Sequence, residues 1–330
     1  LVGFSYIFSG KVRGMTLSVK TVARPNFAQV ASNRGADAIL PGDSPPGWQL
    51  TRKVGGGSYC EVYRARPEHC PGKQPADFVV KLPKRQALST SLAHELLRRE
   101  AKILRACNSH HVVPLLAASF ADDAPFLVMP FLPGITLGKL RRSGGQPTLP
   151  ICLWIARQMA MGLETLADVG WTHGDIKPEN VILGGNGHVT LIDLGFAQPI
   201  HSQSETTAES LPLVGTPYYL APERLVAGNA PTASSDVFSL GVVLFELLTN
   251  QLPYQATTAA ELLKQHQSQK LPDVRATNPQ VPLRLARLVR GMLANIPQRR
   301  PTPSELVSQL SSLEIELFAE RLVGDWTAVA

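Results

Sequence analysis

The stretch "WTHGDIKPENVIL", Trp171 to Leu183, sets Asp175, Lys177, Glu179 and Asn180 around a rigid Pro178 and then runs into an apolar Val-Ile-Leu. An acid, a base and an amide this close, just ahead of a strand, mark a loop that displays side chains. The segment before it is helical. In "LPICLWIARQMAMGLETLADVG", Ile151, Ile155, Met159, Leu163 and Leu166 fall at helical spacing, with Pro150 near the start and Gly170 beyond the end. The segment after it is a hairpin, because "VIL" (181–183) and "HVTLID" (188–193) flank "GGNG". Such a hairpin brings residues 180 and 193 to the same end of its two strands. The Asn180 amide oxygen and the Asp193 carboxylate then converge as hard oxygen ligands suited to Mg²⁺. Each acid taken singly reads as a turn or a cap, but that explanation is poor for all of them at these spacings.

Upstream, the texture is that of a small β-rich lobe. "WQLTRKV" and "CEVYRARP" are strand-like runs around "GGGSY", "DFVVKL" is a third, and "VVPLLAASF" and "APFLVMPF" read as two more. Gly55 and Gly57 between two strands let the backbone approach a ligand and leave N–H groups for phosphate oxygens, although a glycine-rich hairpin is more often only a turn. Between the third and fourth strands a helix is expected from about Ser89 to Cys107, and it offers two acids to the strand-end Lys81. Glu95 has Arg98 and Arg99 at i+3 and i+4, an ordinary surface arrangement. Glu100 has Leu96 and Leu97 a turn before it and Ile103 and Leu104 a turn after, so it lies on the core-facing stripe and needs a cation. The expected pair is Lys81–Glu100. Downstream, "DVFSLGVVLFELLT" is apolar on every side and reads as a helix buried all round. The fold class is α+β, a small β-rich lobe joined to a larger, mostly helical one.

Composition narrows the function. With 330 residues and 44% hydrophobic content the chain builds a real core, which excludes global disorder. The net charge of +6 is spread over solvated helix faces such as Arg98, Arg99, Lys102, Arg105 and Arg284, Arg287, Arg290, so direct nucleic-acid binding is not expected. Cys60, Cys70, Cys107 and Cys152 show no C-x-x-C or metal spacing, which suits a reducing, cytoplasmic setting. No uncharged run has the length of a membrane span. The N-terminal "LVGFSYIF" lacks a preceding basic region and a small-residue cleavage site, which argues against a signal peptide. Because the chain opens on Leu1, residues before Met15 are expected to fall outside the natural product. Residues 1–47 end in the linker-like "LPGDSPPG" and read as a partner-docking arm or a cloning remnant.

Taken in order, G55-x-G57-x-x-C60-x-V62, Lys81 with Glu100, "HGDIKPEN", "DLG" (193–195), "GTPYYLAPE" (215–223), "SSDVFSLG" (234–241) and "RRP" (299–301) resemble the eukaryotic-type (Hanks-type) protein kinases also found in bacteria. The resemblance implies a bilobal kinase domain over 48–313, with an antiparallel N-lobe (48–132) carrying one key helix and a helical C-lobe (133–313), followed by a tail (314–330). It implies that the glycine loop, Val54, Gly55, Gly56, Gly57, Ser58, Tyr59, Cys60, Glu61 and Val62, covers the ATP phosphates, with Val62 and Val79 over the adenine. Lys81, oriented by Glu100, would hold the α/β-phosphates. In the hinge, Met129 to Leu132, Pro130 would offer only a carbonyl and Leu132 an N–H, while Ile182 floors the pocket. Asn180 and Asp193 would bind Mg²⁺ (or Mn²⁺ in its place), Asp175 would accept the substrate hydroxyl's proton, and Lys177 would steady the γ-phosphate.

Lys177 within "DIKPEN" and Thr216 point to the serine/threonine class, acting on protein substrates and on itself. The segment after Pro133 and the surface near 215–223 would select the substrate. By the same resemblance, Asp236 is either a helix cap or a clamp on the catalytic loop, Glu223 and Arg300 form a buried structural pair, and His173 is a packed core histidine. His110 and His111 read as structural. Two other functions stay open: a pseudokinase scaffold that binds nucleotide without turnover, and a small-molecule kinase of related fold. Lys81, Glu100, Asp175, Asn180 and Asp193 argue against the first, and the "APE" segment with Arg300 against the second. Departures from the pattern are Cys60 for the loop's third glycine, Leu194 for phenylalanine, and Gly174 where many members carry an arginine that needs a loop phosphate. With Gly174, the 193–223 segment is expected to reach its working shape unphosphorylated, leaving Ser202, Ser204, Thr206, Thr207 and Ser210 as incidental sites.

Overall fold

A computed structural model of the chain describes residues 44–69, 75–85, 90–121, 124–200, 217–225, 231–256, 259–267 and 273–327, with backbone alone for 217, 259, 260, 267 and 321–327. The expectations for residues 1–43, Cys70, Ser202, Ser204, Thr206, Thr207, Ser210 and Thr216 lie outside the described residues.

Five strands form an antiparallel sheet in the order β1-β2-β3-β5-β4: β1 (Trp48–Gly56), β2 (Cys60–Pro67), β3 (Phe78–Pro83), β4 (Ala117–Ser119) and β5 (Phe126–Pro130). Register then sorts the side chains. Residues directly opposite one another share a face, so Val62, Lys81 and Leu127 line up across three strands, and Val79 lies opposite Met129 on that same face. The alternate positions, Leu50, Ala65, Val80, Phe126 and Val128, form a separate apolar cluster on the other face with Trp48 and Phe78 packed against it. The lysine therefore points to the face that helix α1 (Thr90–Ala106) covers. The buried stripe of α1 is Ala93, Leu96, Leu97, Glu100, Ala101, Ile103 and Leu104. Burying each leucine or isoleucine contributes roughly 1.5–3 kcal/mol, enough in sum to hold one carboxylate inside the stripe.

The run "VVPLLAASF" is only partly a strand. The strand covers Ala117–Ser119, with Leu116 adding a bond from its N–H to the Val128 carbonyl (2.8 Å), and Pro114, which has no N–H, lies outside the ladder. The preceding residues are buried for a different reason. Val113 donates its N–H to the Leu191 carbonyl (3.0 Å) and Val112 bridges Leu191, so this loop is stitched to β8 (Val189–Leu191) of the second lobe.

The second lobe begins with β6 (Gly134–Thr136), a short strand that pairs with β7 (Val181–Gly184), which in turn pairs with β8. Helices α2 (Leu137–Arg142), α3 (Leu149–Asp168), α4 (Ala233–Thr249), α5 (Ala259–Gln267), α6 (Val274–Thr277), α7 (Leu283–Met292) and α8 (Pro303–Thr327) complete it. The all-round apolar α4 is the axle: Val237, Phe238, Leu240, Val242 and Leu244 are fully buried. Its start is fixed by a capping box in which Thr232 and Ser235 bond reciprocally. Helix α8 continues unbroken through residue 313, where the sequence suggested a boundary, and beyond it Ile315 and Phe318 face outward. No helix among the described residues is long and apolar enough to cross a membrane.

Candidate active site

Lys81 and Glu100 form an ion pair, brought together because β3 and the buried stripe of α1 face one another. Glu95 turns outward to Arg99 at 2.5 Å, one helical turn away. Lys81 has a second partner that sequence reasoning did not identify: its ammonium also donates to Asp193 Oδ1 at 2.7 Å. Burial pulls the lysine's pKa down, but Asp193 and Glu100 outweigh it, so the net shift is upward and the side chain stays charged. Only Glu100 Oε2 meets the lysine; the other oxygen, Oε1, is buried without a hydrogen-bond partner. One cation thus serves two carboxylates. Asp193 itself adopts a left-handed backbone with φ 66°, uncommon for a residue with a side chain. Leu194 beside it is fully buried in the core that spans both lobes, filling the place of the expected apolar plug.

The catalytic-loop candidates gather 18 residues earlier, on the segment between α3 and β7. Lys177 Nζ pairs with Asp175 Oδ2 at 2.6 Å. Asn180, at the end of a 3₁₀ turn (Pro178–Asn180), donates its amide to the Asp175 carbonyl and carboxylate, each at 2.9 Å. That orientation leaves the Asn180 Oδ1 for another partner. Ile192 N–H donates to the Asn180 carbonyl (3.0 Å), so residues 180 and 193 do sit at the same end of the hairpin. Burial pushes the Asp175 carboxyl up to about 6, against the pull of Lys177.

The backbone of this loop is held from below. Asp236 does not cap α4, whose cap is Thr232; its two oxygens accept from His173 N–H (2.7 Å) and Gly174 N–H (2.9 Å). His173 is fully buried and neutral, its pKa lowered to about 4 by burial. Its hydrogen bonds assign the ring proton: Nδ1 accepts from Asp175 N–H (3.3 Å), so Nε2 donates to the Ile192 carbonyl (3.2 Å). The histidine is a strut between the two loops.

Across the cleft, Gly57 N–H donates to the Cys60 carbonyl at 2.8 Å and closes the turn between β1 and β2, with Ser58 and Tyr59 at its tip and Gly55 opposite Val62. Val54 and Gly56 complete the end of β1, and Glu61 pairs with Lys53 at 3.1 Å. Burial raises the Cys60 thiol to about 12, which makes it an inert filler rather than a nucleophile. At the hinge, Pro130 lies opposite Phe78, and Phe131 gives its N–H to the Asp77 carbonyl (2.8 Å) just before Leu132. Ile182 lies in the middle of the second sheet, opposite Thr136 and Thr190.

Below the cleft, Arg300 holds Glu223 through two bonds of 2.6 and 2.8 Å and also donates to the carbonyls of Ala294 and Ser234. A further chain was not foreseen: Tyr219 donates to Glu246 Oε2 (2.7 Å), and Arg141 pairs with the other oxygen of the same carboxylate. Glu246 is buried inside the apolar run of α4, the signal that could have marked it.

Comparison with known proteins agrees with this arrangement. The family described as Protein kinase domain matches residues 48–310. The chain is 28% identical over 290 residues to the probable serine/threonine-protein kinase pknA2 of Bifidobacterium longum, covering 85% of this chain and 38% of that protein. It is 27% identical over 258 residues to the serine/threonine-protein kinase PrkC of Bacillus subtilis (78% and 39% covered). It is 30% identical over 264 residues to PknE of Mycobacterium tuberculosis (78% and 44% covered). The chain thus spans about two fifths of the length of these curated relatives. With a match over most of its length and two lobes meeting at an ammonium shared by a carboxylate from each, the chain belongs to the protein kinase family.

Proposed function

We propose that the chain is an ATP-dependent serine/threonine protein kinase, carrying its domain on residues 48–313. The observation that carries this reading is Lys81 bridging Glu100 and Asp193 across the lobes, with Asp175, Lys177 and Asn180 on the neighbouring loop. Lys81 binds the α/β-phosphates of ATP beneath the glycine loop 54–62, and Glu100 keeps its ammonium aimed. Val62, Val79 and Ile182 enclose the adenine, with the hinge at Met129, Pro130 and Leu132. Asp175 accepts the proton of the substrate hydroxyl as that oxygen attacks the γ-phosphorus and the bond to ADP breaks. Lys177 stays beside the transferred group, where charge spreads over the equatorial oxygens.

The donor set fits Mg²⁺. Asp193 has one oxygen committed to Lys81 and one left over, Asn180 presents Oδ1, and no cluster of three His, Cys, Asp or Glu side chains gathers to hold a metal among the described residues. Few protein oxygens are the rule for this ion, which takes its remaining ligands from water and phosphate and, when bound, neutralises charge on the nucleotide. Protein substrates are supported by the platform that Glu223, Arg300 and Tyr219 build, and a cytoplasmic setting by the free thiols of Cys60, Cys107 and Cys152 among the described residues. Residues 1–47 are proposed as a docking arm.

The test is turnover of Mg·ATP on a generic acceptor such as myelin basic protein. Asp175→Asn and Lys81→Met should each abolish phosphate transfer; nucleotide binding without turnover in the unaltered chain would instead identify a scaffold. Replacing Ser202, Ser204, Thr206, Thr207 and Ser210 together by Ala should keep most of the activity, and near-total loss would show that loop phosphorylation is required.

A further inference from the structure

The segment that follows Asp193 lies against the catalytic loop in a short antiparallel ladder. Ile200 N–H donates to the Gly170 carbonyl (2.9 Å), Trp171 bridges Pro199, and Thr172 N–H donates to the Gln198 carbonyl (2.9 Å). Thr172 Oγ1 adds a bond to each side of Gln198, donating to its carbonyl and accepting from its N–H, both at 3.2 Å. Continued by the same register, this ladder sets Gly174 opposite Phe196. A Cβ built on Gly174 would sit 2.4 Å from the Phe196 carbonyl oxygen, 3.1 Å from its carbon and 3.5 Å from Pro231. The obstacle is backbone, which cannot rotate aside as a side chain can. Gly174 also has φ +78°, and its N–H is tied to Asp236, so the residue cannot swing away without losing that bond. Gly170 at the other end of the ladder has nearly the same φ, +79°, yet a Cβ there would meet nothing within 4 Å.

We propose that Gly174 is a positioning residue: by having no side chain it lets the segment after Asp193 lock onto the catalytic loop backbone to backbone. This goes beyond the loss of an arginine. The glycine supplies the close approach that fixes Asp193, three residues before Phe196, relative to Asp175, the residue after Gly174. The inference rests on the reading of Asp175 and Asp193 as the reacting and metal-holding groups.

The experiment compares Gly174→Ala with Gly170→Ala in the full chain after phosphatase treatment, since both add the same left-handed strain and only the first adds the collision. Initial rates should show Gly174→Ala down about tenfold or more in kcat, Gly170→Ala within about twofold of the unaltered protein, and KM for Mg·ATP little changed in both. Amide exchange at Thr172, Gln198 and Ile200 should quicken in Gly174→Ala alone. Should that protein not fold, Thr172→Val removes the hydroxyl bonds to Gln198 without adding bulk. It should speed exchange at Gln198 and lower kcat about threefold. Gly174→Ala matching Gly170→Ala in rate and exchange, or Thr172→Val behaving as the unaltered protein, overturns the proposal while leaving the kinase reading intact, provided Asp175→Asn is inactive in the same assay. Turnover surviving in Asp175→Asn would instead overturn the residue assignment on which it stands.

Discussion

Asp175 sits under two opposed influences, burial that favours its neutral form and Lys177 at 2.6 Å that favours its charged one. Burial wins, and the carboxyl titrates near 6 rather than in the usual acid range. As the proposed proton acceptor, Asp175 must be ionised, so kcat/KM should be flat above that value and fall as pH drops through about 6. The groups facing Asp175 are Lys177, Asp193 and Asn180, with the buried Asp236 carboxylate also near enough to interact. Of these only Lys177 is a cation, so Lys177→Met should move the acid limb to higher pH as well as slowing turnover; a limb that stays in place would remove Asp175 as its source. At this scale much was readable in advance. Glu100 could be told from Glu95 because a helical stripe of leucines leaves a carboxylate in its middle no neutral escape. The second partner of Lys81 was not readable, because Asp193 is 112 positions away and only lobe closure brings it within reach.

Among the elements, α4 does most to place the chemistry. Its first turn sends Asp236 up to the backbone of His173 and Gly174, and its later turns carry Glu246 to Tyr219. The Glu223–Arg300 pair closes the same region from the side, with the arginine side chain fully buried and also packed over the Phe238 ring. Removing one partner of a buried pair leaves the other uncompensated, so Arg300→Met should cost about 3–5 kcal/mol. A loss of unfolding free energy under about 1 kcal/mol, from denaturant midpoints, would mean that the pair is solvated in solution. The helices α3 and α4 were legible from spacing and from an all-round apolar run. Strand β6 was not, since three residues, Gly134 to Thr136, carry no periodicity and are strand only because β7 is beside them.

For the molecule as a whole, acid sensitivity follows from histidines buried uncharged. His266 is buried against Tyr254 and Phe238, its pKa lowered to about 4 by burial and by Arg300, with Glu223 opposing. Unfolded, it would titrate near 6.5. Between those values the unfolded chain binds the extra proton, so this residue's contribution is intact above about 6.5 and is lost as pH falls toward 4. Asp175 and Asp236, both raised to about 6, act in the opposite sense over much of the same range, so the histidine is best isolated by substitution. His266→Phe should shrink the stability difference between pH 7 and pH 5 by roughly 1–2 kcal/mol. An unchanged difference in melts at the two pH values would show that His266 is hydrated or already charged.

Sequence alone determined what is local or periodic: the strands around the glycine loop, the two long helices, the hairpin that brings residues 180 and 193 to one end, and the stripe that demanded a cation for Glu100. Spacing and alternation along a chain are written directly in residue order. Tertiary structure alone decided that Lys81 serves two carboxylates, that Asp236 clamps the backbone of His173 and Gly174 instead of capping its own helix, and that Gly174 is pressed against the Phe196 carbonyl. Those contacts join residues from different elements. Their distances depend on how the elements pack, which no single segment specifies.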